Sequence, residues 1–519
     1  MMADSPLRAA VLAGRFFGAR AAAGTEAALA GFLVEPDRAA ALRQWFGPEG
    51  LRAAIGSAAD LPAARARLEE AVDRDIARLD AMLAAQLDAL LHHARLRRLE
   101  GSWRGLRWLA ESVPPGSRVR LRVLAARWHE LCRDLERAVE FDQSQLFKKV
   151  YEEEFGRPGG EPFGLIAADY EVRHAPPPRQ EAEAAGMPPT NDAAALAGLA
   201  GVAAAAFAPT VIGLSPALLG LDEMAEAGAA FDPTDALRSP DRARLRAVQA
   251  RPDTRFLALA LPRLLGRAPY GDDGCRPDRF RYRERAPDAA ARVWISPVYA
   301  MAAVAVRAFA RHGWPADLRG AEPSEEPSGG VVLAPAWERL PSDPSGPEPP
   351  PRPPLEVAFT DLQEHQLSDA GLVPLAGLEG LPEAAFAALP SFHRPPRMTG
   401  AAAEANQRLS AQFNAMLCVS RIAHCLKIMG RDMVGAYRTA EEIEQGLQRW
   451  LSRLSSSMLS GPETAARYPL LDARVEVREH PGKPGVYGCI IHLQPHYQLD
   501  EVGATFRLVT DLQAPRIAA

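Results

Sequence analysis

The feature that most constrains this chain is an uncharged stretch at residues 193–221, AAALAGLAGVAAAAFAPTVIGLSPALLGL. A segment of this length without charge has to be buried, either in a protein core or in a membrane. Alanine and glycine, which form most of it, contribute little to bilayer insertion, and Pro209 and Pro216 interrupt it. The pattern predicts a core segment with an alanine-rich helix, a short strand over VIGL and the start of a second helix.

Composition narrows the class of protein further. The chain has 519 residues, of which 47% are hydrophobic and 24% charged, which is typical of a globular protein with several compact units. A formal net charge of −5 argues against binding nucleic acid or membranes through overall charge. Five dispersed cysteines favour a reducing compartment, and the N-terminus has no secretory signal. We therefore expect a cytoplasmic protein without a membrane-inserted segment.

A tryptophan-rich segment follows a long amphipathic pattern. Apolar side chains recur every three or four positions over residues 75–100, which predicts a helix that ends at Gly101. The next nine residues, GSWRGLRWL, then begin a second helix, and bulky side chains fill the joint between the two. This interpretation predicts three packing anchors, Trp103, Leu106 and Trp108. A ligand platform of tryptophan and arginine is the alternative.

The C-terminal part changes from a helical period to a period of two. A helical tract over residues 401–455 is followed from residue 473 by ARVEVRE, the turn HPGKPG, VYGCIIHLQ and finally VGATFRLVTDL. Alternation of apolar and polar residues around a proline-glycine turn is typical of antiparallel strands. The chain is predicted to close on a β meander.

Together these patterns predict a multi-domain α+β protein. The predicted order is a divergent N-terminal linker or helical segment at 1–70, a helical region at 71–160, a mixed α/β domain at 161–320, a proline-rich insertion at 321–354, a mostly helical region at 355–472, and antiparallel strands with a tail at 473–519. The insertion contains eleven prolines, a composition that favours an extended loop or linker.

Residues able to carry chemistry are few and scattered. His92 and His93 are adjacent on a helix and point apart, so they are predicted to be a helix-end pair rather than metal ligands. Asp169 follows an apolar strand and is predicted to be a strand-end cap or turn. The sequence has no phosphate-binding, dinucleotide-binding, zinc-protease or serine-hydrolase motif. We expect no catalytic residue, cofactor or metal; the alternative is an enzyme whose site combines distant residues, Asp169, His174, His424 and Cys425.

Ordered blocks of sequence resemble the large subunit of the type VI secretion contractile sheath, the TssC family, also called ImpC or VipB. The resemblance extends from about residue 85 to residue 511. The blocks are LHHARLRRLEGSWRGLRWL, FDQSQLFKKVYEEEFGRPGGEPFGLIAADYE, FAPTVIGLSPAL, RFLALALPRLLGRAPYG, WISPVYAMAAVAVRAFARHGWPADLRG, SRIAHCLKIMGRD and PGKPGVYGCIIHLQPHYQLDE followed by FRLV.

The resemblance implies a phage-tail-sheath-like fold and a nonenzymatic role. A large sheath subunit pairs with a small TssB/VipA-like subunit and polymerises with further copies of itself around an Hcp-like inner tube. It also works with a baseplate and an AAA+ unfoldase, and contraction propels the tube and its effectors outward. A divergent second copy, or a non-polymerising baseplate, adaptor or regulatory paralogue, is the alternative, because the first 70 residues and the proline-rich insertion depart from the family pattern.

Strand exchange between neighbouring protomers is a further implication of the resemblance. It makes the last predicted strand a candidate for pairing with a strand of another subunit. The candidate interface residues are Val502, Ala504, Phe506, Arg507 and Leu508.

Overall fold

The computed structural model describes residues 5–512 except 59, 158, 178–187, 229, 278, 322–325, 339–350, 352, 379, 396–406, 408–410, 436–438, 457–461, 480–486 and 497–505. The chain forms two compact units. The first consists of Met1–Leu96 and Pro269–Ala291, and the second of Arg97–Ala268 and Arg292–Ala519. Helices and a parallel sheet are accompanied by a separate antiparallel sheet, as predicted for an α+β protein.

The first unit is helical. Asp75 lies at its centre, where its carboxylate accepts hydrogen bonds from Arg8 Nε at 2.7 Å and from Trp45 Nε1 at 2.9 Å. The segment 269–291 returns to this unit through Tyr282, whose hydroxyl donates to Asp88 at 2.7 Å. The helices are α1 Pro6–Leu12, α2 Thr25–Val34, α3 Arg38–Ile55 and α4 Leu61–Leu91, with 3₁₀ turns at Gly18–Arg20 and Ala289–Ala291.

The break after the long helix lies earlier than the sequence predicts. Helix α4 ends at Leu91 with His92 as its C-cap, so the histidine pair does mark a helix end, and α5 runs over Ala94–Glu111. Gly101 was predicted to end the helix, but it lies inside α5. A glycine stands inside the helix because the backbone of Trp294 packs closely against it: a Cβ at Gly101 would overlap the carbonyl oxygen of Trp294. The predicted domain boundary at residue 70 falls inside α4.

Trp103 is not a packing anchor in the chain alone. The buried face of α5 is formed by Gly101, Gly105 and Leu109, and Trp103 lies away from it with 65% of its surface exposed. A Cβ at Gly105 would overlap the ring of Tyr299, so the contact needs glycine and leaves no room for an indole. The other two predicted anchors, Leu106 and Trp108, are half-buried and pack against the core beside the helix Pro297–His312.

The second unit is built around a four-stranded parallel sheet. Its helices are α5, α6 Trp128–Arg137, α7 Gln145–Phe147, α8 Asp192–Ala206, α9 Pro233–Arg238, α10 Ala243–Gln249, α11 Pro297–His312, α12 Asp361–Asp369, α13 Phe413–Gly435, α14 Ala440–Ser452 and α15 Pro462–Arg467. A π-helix at Lys148–Phe155 follows α7, and 3₁₀ turns lie at Phe141–Gln143, Pro216–Leu219, Met224–Glu226, Pro240–Arg242 and Pro252–Phe256.

The described strands of this unit form four sheets. Those of the parallel sheet are β1 Ile166–Val172, β2 Thr210–Leu214, β3 Leu257–Leu261 and β7 Val373–Pro374, which lie side by side in the order β1-β2-β3-β7. Short antiparallel pieces are β4 Leu264–Leu265 with β5 Trp294–Ile295, and β6 Val331–Val332 with β9 Ala384–Ala385 and β8 Ala376–Gly377. The C-terminal sheet contains β10 Leu470–Glu479, β11 Tyr487–Pro495 and β12 Phe506–Leu512.

The uncharged stretch occupies the centre of the parallel sheet, as predicted. It forms α8, β2 and the turn Pro216–Leu219, and alternate residues of β2 face opposite cores. Ile212 packs on the side of α8, whereas Val211 packs on the side of α11. A parallel strand covered on both faces needs an apolar residue at every position, which explains the absence of charge. In the part of the chain that the structure describes, no helix is long and apolar enough to span a bilayer.

The region predicted as mostly helical at 355–472 is only partly so. Its second half holds α13, α14 and α15, but its first half holds one short helix, α12, followed by the strands β7, β8 and β9 between loops. A strand of two residues is too short to show the alternation of apolar and polar residues, so sequence alone could not distinguish these strands from helix or turn. Half of the proline-rich insertion lies outside the described residues, and the described half includes β6.

Candidate assembly interface

The C-terminal sheet holds the predicted interface and has two unlike edges. Strands pair in the order β10-β11-β12, antiparallel throughout, as the alternation predicts. One face packs on α13 and α14 to form a third core. Its apolar members from the strands are Ala473, Val475, Val477, Cys489, Ile491 and Leu493, and those from α14 are Ile443, Leu447 and Leu451. The sheet is therefore anchored to the unit through one face.

The register shows which main-chain N–H and C=O groups of β12 point away from β11. Val475 pairs with Ile491, and Ile491 pairs with Leu508. The amide of Val475 points away from β11, because it donates to a side chain of α14. Since main-chain groups alternate in direction along a strand, Leu508 then faces β11, while Arg507 and Val509 present their N–H and C=O groups at the outer edge.

The predicted interface residues fall partly within this strand. Phe506, Arg507 and Leu508 lie in β12, in register with Leu493, His492 and Ile491 respectively. Val502 and Ala504 lie outside the described residues. In the described strand order β10-β11-β12, β12 lies at one end of the sheet, which is a position where an incoming strand can be added.

The opposite edge, that of β10, is occupied by side chains of α14. Gln448 donates from Nε2 to the carbonyl oxygen of Ala473 at 2.8 Å and accepts from the amide of Val475 at 3.0 Å. Glu444, one turn earlier, accepts from the amide of Val477 at 2.9 Å. We call Gln448 and Glu444 the edge block.

The start of β10 is closed by main chain rather than side chains. The amide of Leu470 donates to the carbonyl oxygen of Leu454 at 3.2 Å, and that of Ser456 donates to the carbonyl oxygen of Leu470 at 3.0 Å. Along this edge of β10, the N–H groups of Leu470, Val475 and Val477 and the C=O groups of Leu470 and Ala473 thus have partners. Sequence reasoning missed this arrangement; the available signal was two polar residues, four apart, beside the buried positions Ile443, Leu447 and Leu451 of an amphipathic helix.

The residues of the enzyme alternative lie in separate environments. Asp169 is not a strand-end cap: it sits within β1, accepts a hydrogen bond from the Tyr299 hydroxyl at 2.9 Å, and has its pKa raised by burial. His424 in α13 is fully buried, and burial lowers its pKa to about 4. Burial also lowers the pKa of His174 and raises that of Cys425. These four side chains form no shared hydrogen-bonded cluster that could act as a site.

The carboxyl end of the parallel sheet, where α/β proteins usually bind ligands, is filled by an ion-pair network. Arg263 follows β3 and donates from Nε to Glu356 at 2.8 Å and from Nη1 to Glu171 at 3.3 Å. The cavity beside these residues measures only about 10 Å³, enough for a single water. In the described part of the chain, no group of three or more His, Cys, Asp and Glu side chains could hold a metal ion.

Comparison with known proteins agrees with an assembly role. The EvpB/VC_A0108 tail sheath N-terminal domain, called VipB, matches residues 73–393, and the tail sheath gpW/gp25-like domain of the same family matches residues 402–512. The chain therefore belongs to the VipB family of tail sheath proteins.

A characterised relative narrows the comparison. The chain is 32% identical over 455 residues to the type VI secretion system sheath protein TssC1 of Pseudomonas aeruginosa. The alignment covers 86% of this chain and 87% of the relative, so the similarity extends over both units. The C-terminal sheet, with the edge block beside β10, falls in the part that matches the gpW/gp25-like domain.

Proposed function

We propose that this chain is the large structural subunit of a type VI secretion contractile sheath in the cytoplasm. It pairs with a small sheath subunit and polymerises with copies of itself around an inner tube, so that contraction propels the tube outward. The inner tube, a baseplate and a recycling AAA+ unfoldase are further partners under this proposal. Membership of the tail sheath family and similarity to TssC1 over both units support it.

The observation that carries the assembly step is the position of β12 at the end of the described strand order. An incoming strand from a neighbouring subunit would pair with the outward groups of Arg507, Val509 and Asp511, extending the sheet beyond β12. Each net hydrogen bond contributes about 0.5–1.5 kcal/mol, so such a strand adds a few kcal/mol per contact in this order-of-magnitude estimate. Repeated along a polymer, contacts of that size are sufficient to hold neighbours together.

Main-chain pairing suits a sleeve that contracts. Backbone hydrogen bonds do not depend on the identity of the neighbouring side chains, and a paired strand can tilt with its sheet while its bonds persist. The anchored face of the sheet, on α13 and α14, would transmit movement of the unit to the attached strand. Subunits could then rotate during contraction without separating.

Co-expression with a small sheath subunit of the same secretion system tests the proposal. We expect tubes in negative-stain electron microscopy from the pair, and poor solubility or aggregation of the large chain alone, because an unpaired edge and apolar interfaces are then exposed. A soluble heterodimer that never forms tubes would instead indicate the baseplate or adaptor alternative. A monodisperse monomer with no gain from the small subunit would contradict the proposal.

A further inference from the structure

The two edges of the C-terminal sheet differ in a way that bears on the direction of assembly. A three-stranded antiparallel sheet has two edges, and either could accept an incoming strand through the same main-chain chemistry. In this chain, β12 lies at one end of the described strand order, whereas at the β10 end the C=O of Ala473 and the N–H groups of Val475 and Val477 are bonded to side chains of α14.

The edge block imitates a neighbouring strand. The carboxamide of Gln448 supplies one donor and one acceptor to Ala473 and Val475, which is the pattern that a paired strand residue would provide. Glu444 supplies a second acceptor, to Val477. Side chains of α14 thus take the positions that an incoming main chain would need.

We propose that Gln448 and Glu444 determine the polarity of sheath assembly by preventing strand addition at β10. The excluded partner is an extended strand of another sheath subunit, so this inference rests on the proposed function for the identity of that strand. With β10 blocked, each subunit accepts a neighbour only at β12, and growth follows one path. A subunit with both edges open could accept two strands and would form branched or laterally joined assemblies.

A matched pair of double variants tests this role. Gln448→Ala with Glu444→Ala removes the edge block, while Gln445→Ala with Glu441→Ala makes the same change in composition and charge, also four residues apart, at exposed positions of α14. Both are co-expressed with the small subunit. Alanine adds no apolar bulk, so greater self-association cannot be attributed to a new hydrophobic side chain.

Two measurements are made on the purified complexes. Hydrogen exchange should show the amides of Val475 and Val477 exchanging about tenfold faster without the edge block, as expected for the loss of one hydrogen bond each. Sedimentation and negative-stain microscopy should show larger, branched or laterally joined assemblies for the Gln448 and Glu444 variant, and wild-type assemblies for the control.

Two results would overturn the proposal. Unchanged amide exchange would mean that the side chains do not hold the edge. Faster exchange with assemblies identical to the control would mean that an open β10 edge is not used by incoming strands. If the double variant fails to fold, Gln448→Glu replaces it: this variant keeps the acceptor for Val475 but loses the donor to Ala473, and it should give the same defect in weaker form.

Failure of the proposed function gives a different pattern. If the wild-type complex forms no tubes, the chain is not a polymerising sheath subunit. The inference is then decided by sedimentation alone, because opening the β10 edge should still raise the oligomer size relative to the Gln445 and Glu441 control, and no rise would refute it.

Discussion

Nε2 of His424 lies 2.9 Å from the carbonyl oxygen of Ala206, the last residue of α8, and joins α13 to the helix formed by the uncharged stretch. Because a carbonyl only accepts, Nε2 is the protonated nitrogen of a neutral imidazole. The rings of Phe155 and Phe207 pack edge-on against it, and both Arg421 and Lys427 disfavour a second positive charge nearby.

This environment predicts an acid-sensitive fold. Burial lowers the pKa of His424 to about 4, whereas an unfolded histidine titrates near 6.5, so its contribution to stability is complete above about pH 6.5 and is lost as the pH falls towards 4. Between about pH 7.5 and about pH 5 the free energy of unfolding should fall by about 2 kcal/mol through this residue.

Urea unfolding of the purified complex at the two pH values measures the effect. His424→Gln should reduce the pH dependence by that amount, although it also lowers stability at neutral pH. His365→Gln, at an exposed site on α12, should leave the dependence unchanged. If the free energy of unfolding falls as much between the two pH values in His424→Gln as in the wild type, the buried imidazole is not responsible for the pH dependence.

Gly105→Ala should destabilise the second unit even though alanine favours helices. The new Cβ would overlap the ring of Tyr299, and such overpacking typically costs about 1–3 kcal/mol, more than the gain of about 1 kcal/mol in helix propensity. Thermal unfolding followed by circular dichroism measures the change. Gly164→Ala is the control, since a Cβ there meets nothing within 4 Å; a Gly105 variant as stable as this control would disprove the close contact.

Trp103→Ala should change the stability of the chain by less than about 0.5 kcal/mol, because the indole is mostly exposed. Leu109→Ala, on the buried face of the same helix, should cost about 2–5 kcal/mol. Urea unfolding of the two variants measures the difference in free energy of unfolding between the exposed and the buried position. A loss of several kcal/mol from the Trp103 variant would show that the indole packs within the chain and would contradict its exposed position.

Proline substitutions in β12 should separate sheet formation from strand addition. Val509→Pro removes an outward N–H, which an edge strand tolerates, so the subunit should fold and pair with the small subunit but form no long tubes. Leu508→Pro removes a hydrogen bond to β11 and should disrupt the sheet itself. Arg507→Ala retains every main-chain group and should leave tubes intact. Long tubes from Val509→Pro in negative-stain images would exclude addition at this edge.

Patterns that depend on burial were readable from the sequence. The uncharged stretch predicted the helix α8 and the strand β2, because a strand covered on both faces admits no charge. The alternation from residue 473 predicted the C-terminal sheet, because one face is buried against α13 and α14. Family membership was also evident, since ordered blocks persist along most of the chain.

Contacts between distant segments were decided only by the tertiary structure. Gly101 has the appearance of a helix terminator in sequence, yet Trp294, far along the chain, makes it a close-packing position. Trp103 is a large apolar residue of the kind that usually lies in a core, but the neighbouring glycines occupy the buried face of α5. The roles of Gln448 and Glu444 depend on β10, which follows them by more than twenty residues. Local periodicity records how much of a segment is buried, whereas the identity of the partner depends on how the segments meet in space.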